Sequence, residues 1–75
     1  MKIFAYSVEL NINGLDERLI KAMEDIGKNY KFDVIHHGID CLVFASDEFN
    51  GFTYLIRDLS GVCEAYGVDY TSLLI

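Results

Sequence analysis

Seventy-five residues bound this chain to one domain, residues 1–75, with a thin core. Hydrophobic residues make up 52% of it and aromatic ones 13%, which excludes disorder. No apolar run approaches the roughly 18 residues of a membrane span, and the N-terminal stretch lacks the apolar centre of a signal peptide, so the composition reads as cytoplasmic. The formal net charge is -6, and its placement is uneven. Residues 1–31 hold five carboxylates and five cations, whereas residues 32–75 set seven carboxylates against Arg57 alone. Such a field disfavours nucleic acid and anionic membranes and favours basic protein surfaces.

Residues 2–12 alternate, with Phe4, Tyr6, Val8, Leu10 and Ile12 on one side and Ile3, Ala5, Ser7, Glu9 and Asn11 on the other. That period of two predicts a strand with one buried face. Asn13-Gly14 breaks the pattern. Asn13 is placed to cap a helix, with Asp16 three residues on in the capping-box position. Leu15, Leu19, Ala22, Met23 and Ile26 then form a helical stripe. The predicted helix covers 14–28, with Glu17–Lys21 and Glu24–Lys28 as i,i+4 pairs and Gly27 and Asn29 ending it.

Residues 30–39 alternate again, with Phe32, Val34 and His36 opposed to Asp33, Ile35 and His37. Gly38 marks a turn. Residues 40–46 return through the apolar run CLVFA, the pattern of a central strand covered on both faces. These two strands are expected to form a hairpin.

In residues 46–66, Phe49, Phe52, Ile56, Leu59, Cys63 and Tyr66 recur at helical spacing. Asn50, Tyr54, Arg57, Asp58, Gly61 and Glu64 fall opposite. Ser46 or Asp47 is expected to cap the start, and Gly67 to end the helix in the left-handed conformation. A rival reading makes Asn50-Gly51 a tight hairpin turn. In that register Phe44 faces Arg57 and Val43 faces Asp58, poor cross-strand chemistry. The helical register leaves no charge on its apolar face, so a helix over 47–66 is the better reading. Residues 68–75 then read as a final strand.

The order β-α-β-β-α-β predicts an α+β, ferredoxin-like fold. It consists of a four-stranded antiparallel sheet, order 4-1-3-2, with both helices on one face. Ile3, Ala5 and the two-sided apolar run 41–45 leave the open face partly apolar, which predicts a homodimer.

Cys41 and Cys63 read as buried small hydrophobes. His36 and His37 point to opposite faces of a strand and cannot share an ion, so no metal and no cofactor are expected. No nucleophile elbow, phosphate loop or zinc motif occurs, and carboxylates at helix starts are explained by capping, so no enzyme is expected. The corner Asn13-Gly14-Leu15-Asp16-Glu17-Arg18-Leu19 resembles the Gly-Leu turn where ACT-type regulatory domains bind amino acids, though it lacks their usual proline. That resemblance implies a small-molecule-binding domain that dimerises through its sheet.

Charge supports a different expectation. The chain is similar in kind to small acidic phage-encoded inhibitors, the anti-CRISPR and anti-restriction proteins that mimic DNA and compete with it. Asp47, Glu48, Tyr54, Asp58, Glu64 and Asp69 are the expected partner-binding residues. The expected partner is a protein with a basic surface, such as a nuclease or another nucleic-acid-binding complex, with no direct nucleic-acid contact.

Overall fold

A computed structural model describes residues 6–47, 51–71 and 73. The chain runs β1 (Tyr6–Asn11), α1 (Glu17–Asn29), β2 (Asp33–His37), β3 (Cys41–Ser46) and α2 (Phe52–Ala65). The strands form a three-stranded antiparallel sheet in the order β1-β3-β2. The two-sided apolar run is therefore central, as its sequence implied.

Cross-strand partners share a face of the sheet. Val8, Phe44 and Val34 stand side by side, as do Leu10, Leu42 and His36. On this face Leu10, Leu42 and Phe44 are buried. Both helices cover it. A Cβ added at Gly27 of α1 would meet Phe44 and Val34. Phe52 of α2 makes edge contacts with the rings of Tyr6 and Phe32, at centroid distances of 5.8 and 5.0 Å. Leu19 and Met23 from α1 meet Leu55, Leu59 and Cys63 from α2 in the same cluster.

Local chemistry shifts several boundaries. Asp16, not Asn13, caps α1, and its side chain accepts the Arg18 N–H at 2.7 Å. Asn13 belongs to the preceding turn, where the Asn11 side chain accepts its N–H at 3.0 Å. Gly14 completes that turn at φ 83°. Gly27 does not end α1 but lies inside it, bare because Phe44 leaves no room. The helix ends two residues later with Tyr30 as its C-cap. Lys31 takes the left-handed conformation, φ 63°, and the next N–H, of Phe32, bonds back to Gly27 O at 2.9 Å. This closure is why β2 starts at Asp33 rather than at residue 30.

The start of α2 also differs from expectation. Ser46 and Asp47 do not cap it, because β3 runs on to pair Ser46 with Tyr6. Gly51 is the N-cap without a side-chain bond, and its carbonyl accepts the Leu55 N–H at 2.8 Å. The helical reading holds over Phe52–Ala65, but the buried face is Phe52, Leu55, Leu59 and Cys63. Ile56 is half-buried and Tyr66 is 43% exposed, so the stripe is turned slightly toward Leu55. Gly67 ends the helix at φ 72°, and Val68 N–H reaches Cys63 O at 2.8 Å.

Beyond α2 the chain turns back on itself, with Leu73 N–H donating to Tyr70 O at 3.1 Å. Leu73 is buried, and its carbonyl accepts the Asn11 N–H at 3.2 Å. Asn11 lies opposite Cys41, between the hydrogen-bonded pairs of the β1–β3 ladder. Its N–H therefore points away from β3, to the outer edge of the sheet. Of the expected final strand over 68–75, residues 68–71 form loop and turn and Leu73 lies in a turn, so no strand is formed there among the described residues; the rest of it lies outside the described residues, as do residues 2–5 of the first expected strand and Glu48, Phe49 and Asn50.

Candidate functional site

The expected partner-binding residues occupy several places. Asp47 is exposed at the end of β3. Tyr54 and Asp58 lie one turn apart on the outer side of α2, and Glu64 is exposed farther along the same helix. Asp69 lies in the loop beyond, where its carboxylate accepts the backbone N–H and the hydroxyl of Thr71 at 3.1 and 2.8 Å. Asp47 and Asp69 flank opposite ends of a 14-residue helix, about 21 Å long. Tyr54 and Asp58 come together, while Asp47, Glu64 and Asp69 stay apart from them.

Tyr54 and Asp58 belong to a closed group. The Tyr30 hydroxyl donates to Asp58 Oδ2 at 2.6 Å, and Arg57 Nε meets Asp58 Oδ1 at 3.4 Å. The Tyr30 and Tyr54 rings stack at 6.2 Å, and the Arg57 guanidinium sits 5.1 Å from the Tyr54 centroid. The hydrogen bond to Asp58 raises the Tyr30 pKa above its ordinary value, because a phenolate would face that carboxylate. Arg57 is held charged by Asp58 and Tyr30. The carboxylate of Asp58 is thus answered from within the molecule. Tyr30 was absent from the sequence candidates. It reaches Asp58 across 28 residues, and no local spacing announces such a pair.

A second feature lies between α1 and the β2–β3 turn. A shallow groove of about 480 Å³ is lined by Ile12, Glu17, Ile20, Glu24, His36 and Ile39, among others. The Glu24 carboxylate and His36 Nε2 share a hydrogen bond of 2.7 Å across it. Lys21, also on its wall, reaches Asp25 at 3.3 Å rather than the expected Glu17. Ile39, at the hairpin tip, is 94% exposed.

Cys41 and Cys63 are both free. Cys63 lies on the buried side of α2, while Cys41 shares its face of the sheet with Asn11 and His37, away from the helices. The sheet separates the two thiols, so they cannot meet the geometry of a disulfide. Burial raises both pKa values, which keeps the thiols protonated and poorly nucleophilic. Among the described residues, no group of three or more His, Cys, Asp or Glu is placed to hold a metal ion. No helix of the described residues is long and apolar enough to cross a membrane.

No protein-family model matches the chain, and neither does any curated protein or solved structure.

Proposed function

We propose that this chain is a small, non-catalytic, cytoplasmic protein-binding module that docks through its carboxylates on a basic surface of another protein. A nucleic-acid-processing enzyme is the natural owner of such a surface, and the mode of action is competition with DNA. The observation that carries this reading is the uneven charge. Residues 32–75 contain all of the excess, and Asp40, Asp47, Glu64 and Asp69 in that half are exposed. The one cation of that half, Arg57, is held by Asp58 and stacked on Tyr54. Little positive charge is left there to meet a partner's anions.

The fold proposed for this module is the ferredoxin-like one, with the C-terminal segment as a fourth strand beside β1. The bond from Asn11 N–H to Leu73 O, on the free edge of β1, supports that order.

The test is capture of partners on the immobilised protein, followed by elution with duplex DNA or with salt. The expected partner is a nucleic-acid-binding protein released by either one. Partners that resist both would overturn the reading. A second reading, an amino-acid-binding regulatory domain, draws support from the groove that begins beside the Gly14 corner at Ile12 and Glu17. A rise in melting temperature with free amino acids, and no DNA-competed partner, would favour it.

A further inference from the structure

We propose that the chain pairs with a second copy of itself along the outer edge of β2, so that two sheets join as one about a two-fold axis at Ile35. The proposal stands apart from the docking reading above and starts from the two edges of the sheet. β1 and β2 are the outer strands of the order β1-β3-β2. On the β1 edge the Asn11 N–H is taken by Leu73 O. For β2, the register says which backbone groups point outward. Ile12 N–H bonds Asp40 O, so Leu10–Leu42 and Val8–Phe44 are the hydrogen-bonded pairs of β1 and β3. Cys41, Val43 and Ala45 therefore turn their backbone groups to β2, where they meet His37, Ile35 and Asp33. Val34 and His36 are left with N–H and C=O directed out of the sheet. Among the described residues, no backbone hydrogen bond reaches either of them from that side.

A strand edge is a template for another strand, and proteins blunt the edges they leave unused with Lys, Pro or a bulge. β2, DVIHH, has none of the three, and its five residues pair with β3 in unbroken register. The same five residues select a second copy as the occupant. Antiparallel pairing about Ile35 sets Val34 opposite His36 of the second copy. The two then exchange both backbone bonds, four across the axis, and each outward group is used once. Other registers that match outward groups to outward groups pair fewer residues of β2 with each other. Ile35, 42% exposed, meets its own duplicate at a non-hydrogen-bonded position, where side chains come closest. Asp33 comes opposite His37 of the second copy, so no carboxylate faces a carboxylate. Asp33 is half-buried and already engaged within its own chain, and a carboxylate has lone pairs for a further donor.

The helical layer fits the same axis. α1 crosses between β2 and β3, since a Cβ at Gly27 would meet both Val34 and Phe44. With strands about 4.8 Å apart, two such helices would lie about 10 Å from each other across the axis. That is within the distances at which helices pack, about 8–10 Å. Glu17, Glu24 and Asp25 in α1 are balanced by Arg18, Lys21 and Lys28, so two copies of the helix meet there without net repulsion.

Sedimentation equilibrium of the full chain over a range of concentrations reads the mass. A species of twice 8.5 kDa that dissociates on dilution is expected. Ile35→Lys sets two cations against each other on the axis and is expected to weaken the dimer about a hundredfold, about tenfold for each copy. Ile39→Lys adds the same charge at the hairpin tip, where Ile39 is 94% exposed, and is expected to change the affinity less than about twofold. Circular dichroism verifies that both variants fold. Should Ile35→Lys unfold, Ile35→Cys in a Cys41→Ser background decides. A non-hydrogen-bonded antiparallel pair holds its Cα atoms about 4.5 Å apart, within the span of a disulfide. Mild oxidation is expected to link Ile35→Cys into a covalent dimer. Ile39→Cys in the same background is expected to stay monomeric under denaturing conditions, because position 39 lies four residues from the axis, in opposite directions on the two copies. A mass of 8.5 kDa at every concentration up to millimolar would overturn the proposal. So would a dimer that Ile35→Lys leaves intact, or one that cross-links through position 39 and not through position 35. None of these outcomes decides the docking reading, whose test is the capture of partners released by DNA.

Discussion

Gly27 and Gly61 are expected to respond to the same substitution with opposite signs. Each lies within a helix, so replacing either with Ala gains about 1 kcal/mol of helix propensity. At Gly61 nothing lies within 4 Å of the added methyl, so that gain stands. At Gly27 the methyl would sit 2.6 Å from two ring carbons of Phe44 and 2.7 Å from Val34 Cγ2. Comfortable carbon–carbon contacts are about 3.5–4.0 Å, so α1 must lift or Phe44 must turn. Phe44 is fully buried and has nowhere to turn. Overpacking of this kind costs about 1–3 kcal/mol; set against that gain, it leaves Gly27→Ala about 1 kcal/mol less stable in the middle of that range.

For a domain of this size about 1 kcal/mol moves the melting temperature by roughly 4–8 °C. Thermal and urea unfolding followed by circular dichroism will separate the two variants. Gly61→Ala should melt higher and Gly27→Ala lower than the parent. Phe44→Leu in the Gly27→Ala background should cost less than it does alone, because it relieves the clash. A rise in melting temperature for Gly27→Ala would refute the close crossing of α1 over β2 and β3.

Five further outcomes are expected. Leu59→Ala should lose about 2–5 kcal/mol, because Leu59 is fully buried between the layers. Asp58→Ala, which breaks the exposed ion pair to Arg57 and the hydrogen bond from Tyr30, should lose about 1–2 kcal/mol by urea unfolding, less than Leu59→Ala. Lys31→Gly should gain about 1 kcal/mol, since a left-handed residue with a Cβ is replaced by one without; a loss would mean that the Lys31 side chain contributes a contact. The Tyr30 pKa is raised, so its hydrogen bond to Asp58 stabilises the fold below the ordinary tyrosine pKa of 10.0, and that contribution is lost as pH rises through the folded value. Ultraviolet titration should therefore show late-ionising tyrosines, Tyr30 through Asp58 and Tyr70 through burial, and Tyr30→Phe should remove one of them. Chelator and reductant should leave the melting temperature unchanged, and a fall of several degrees with either would reverse the reading of the cysteines and histidines.

Where one residue's neighbours decide its role, the sequence was readable. The alternation of Tyr6, Val8, Leu10 and Ile12 foretold the buried side of β1, and the two-sided run CLVFA foretold a central strand. Gly38 and Gly67 were placed correctly because each needs only a local left-handed turn. Where a distant element decides, the reading slipped. Gly27 looked like a helix stop, and only the crossing of α1 over Phe44 explains it. Ser46 and Asp47 looked like caps, but the pairing of Ser46 with Tyr6 claimed the chain for the sheet. Leu55 and Ile56 are equally apolar, and the position of the sheet chose Leu55. The acidity of residues 32–75 was visible at once.

Separation of charge between layers follows from the way each layer is stabilised. Helices make use of both signs. Asp16 caps α1 and holds Arg18 at 3.0 Å, Lys21 reaches Asp25, and Arg57 reaches Asp58. None of the three strands contains a Lys or an Arg, and on the side away from the helices the polar positions are Ser7, Glu9, Asn11, Asp33 and His37.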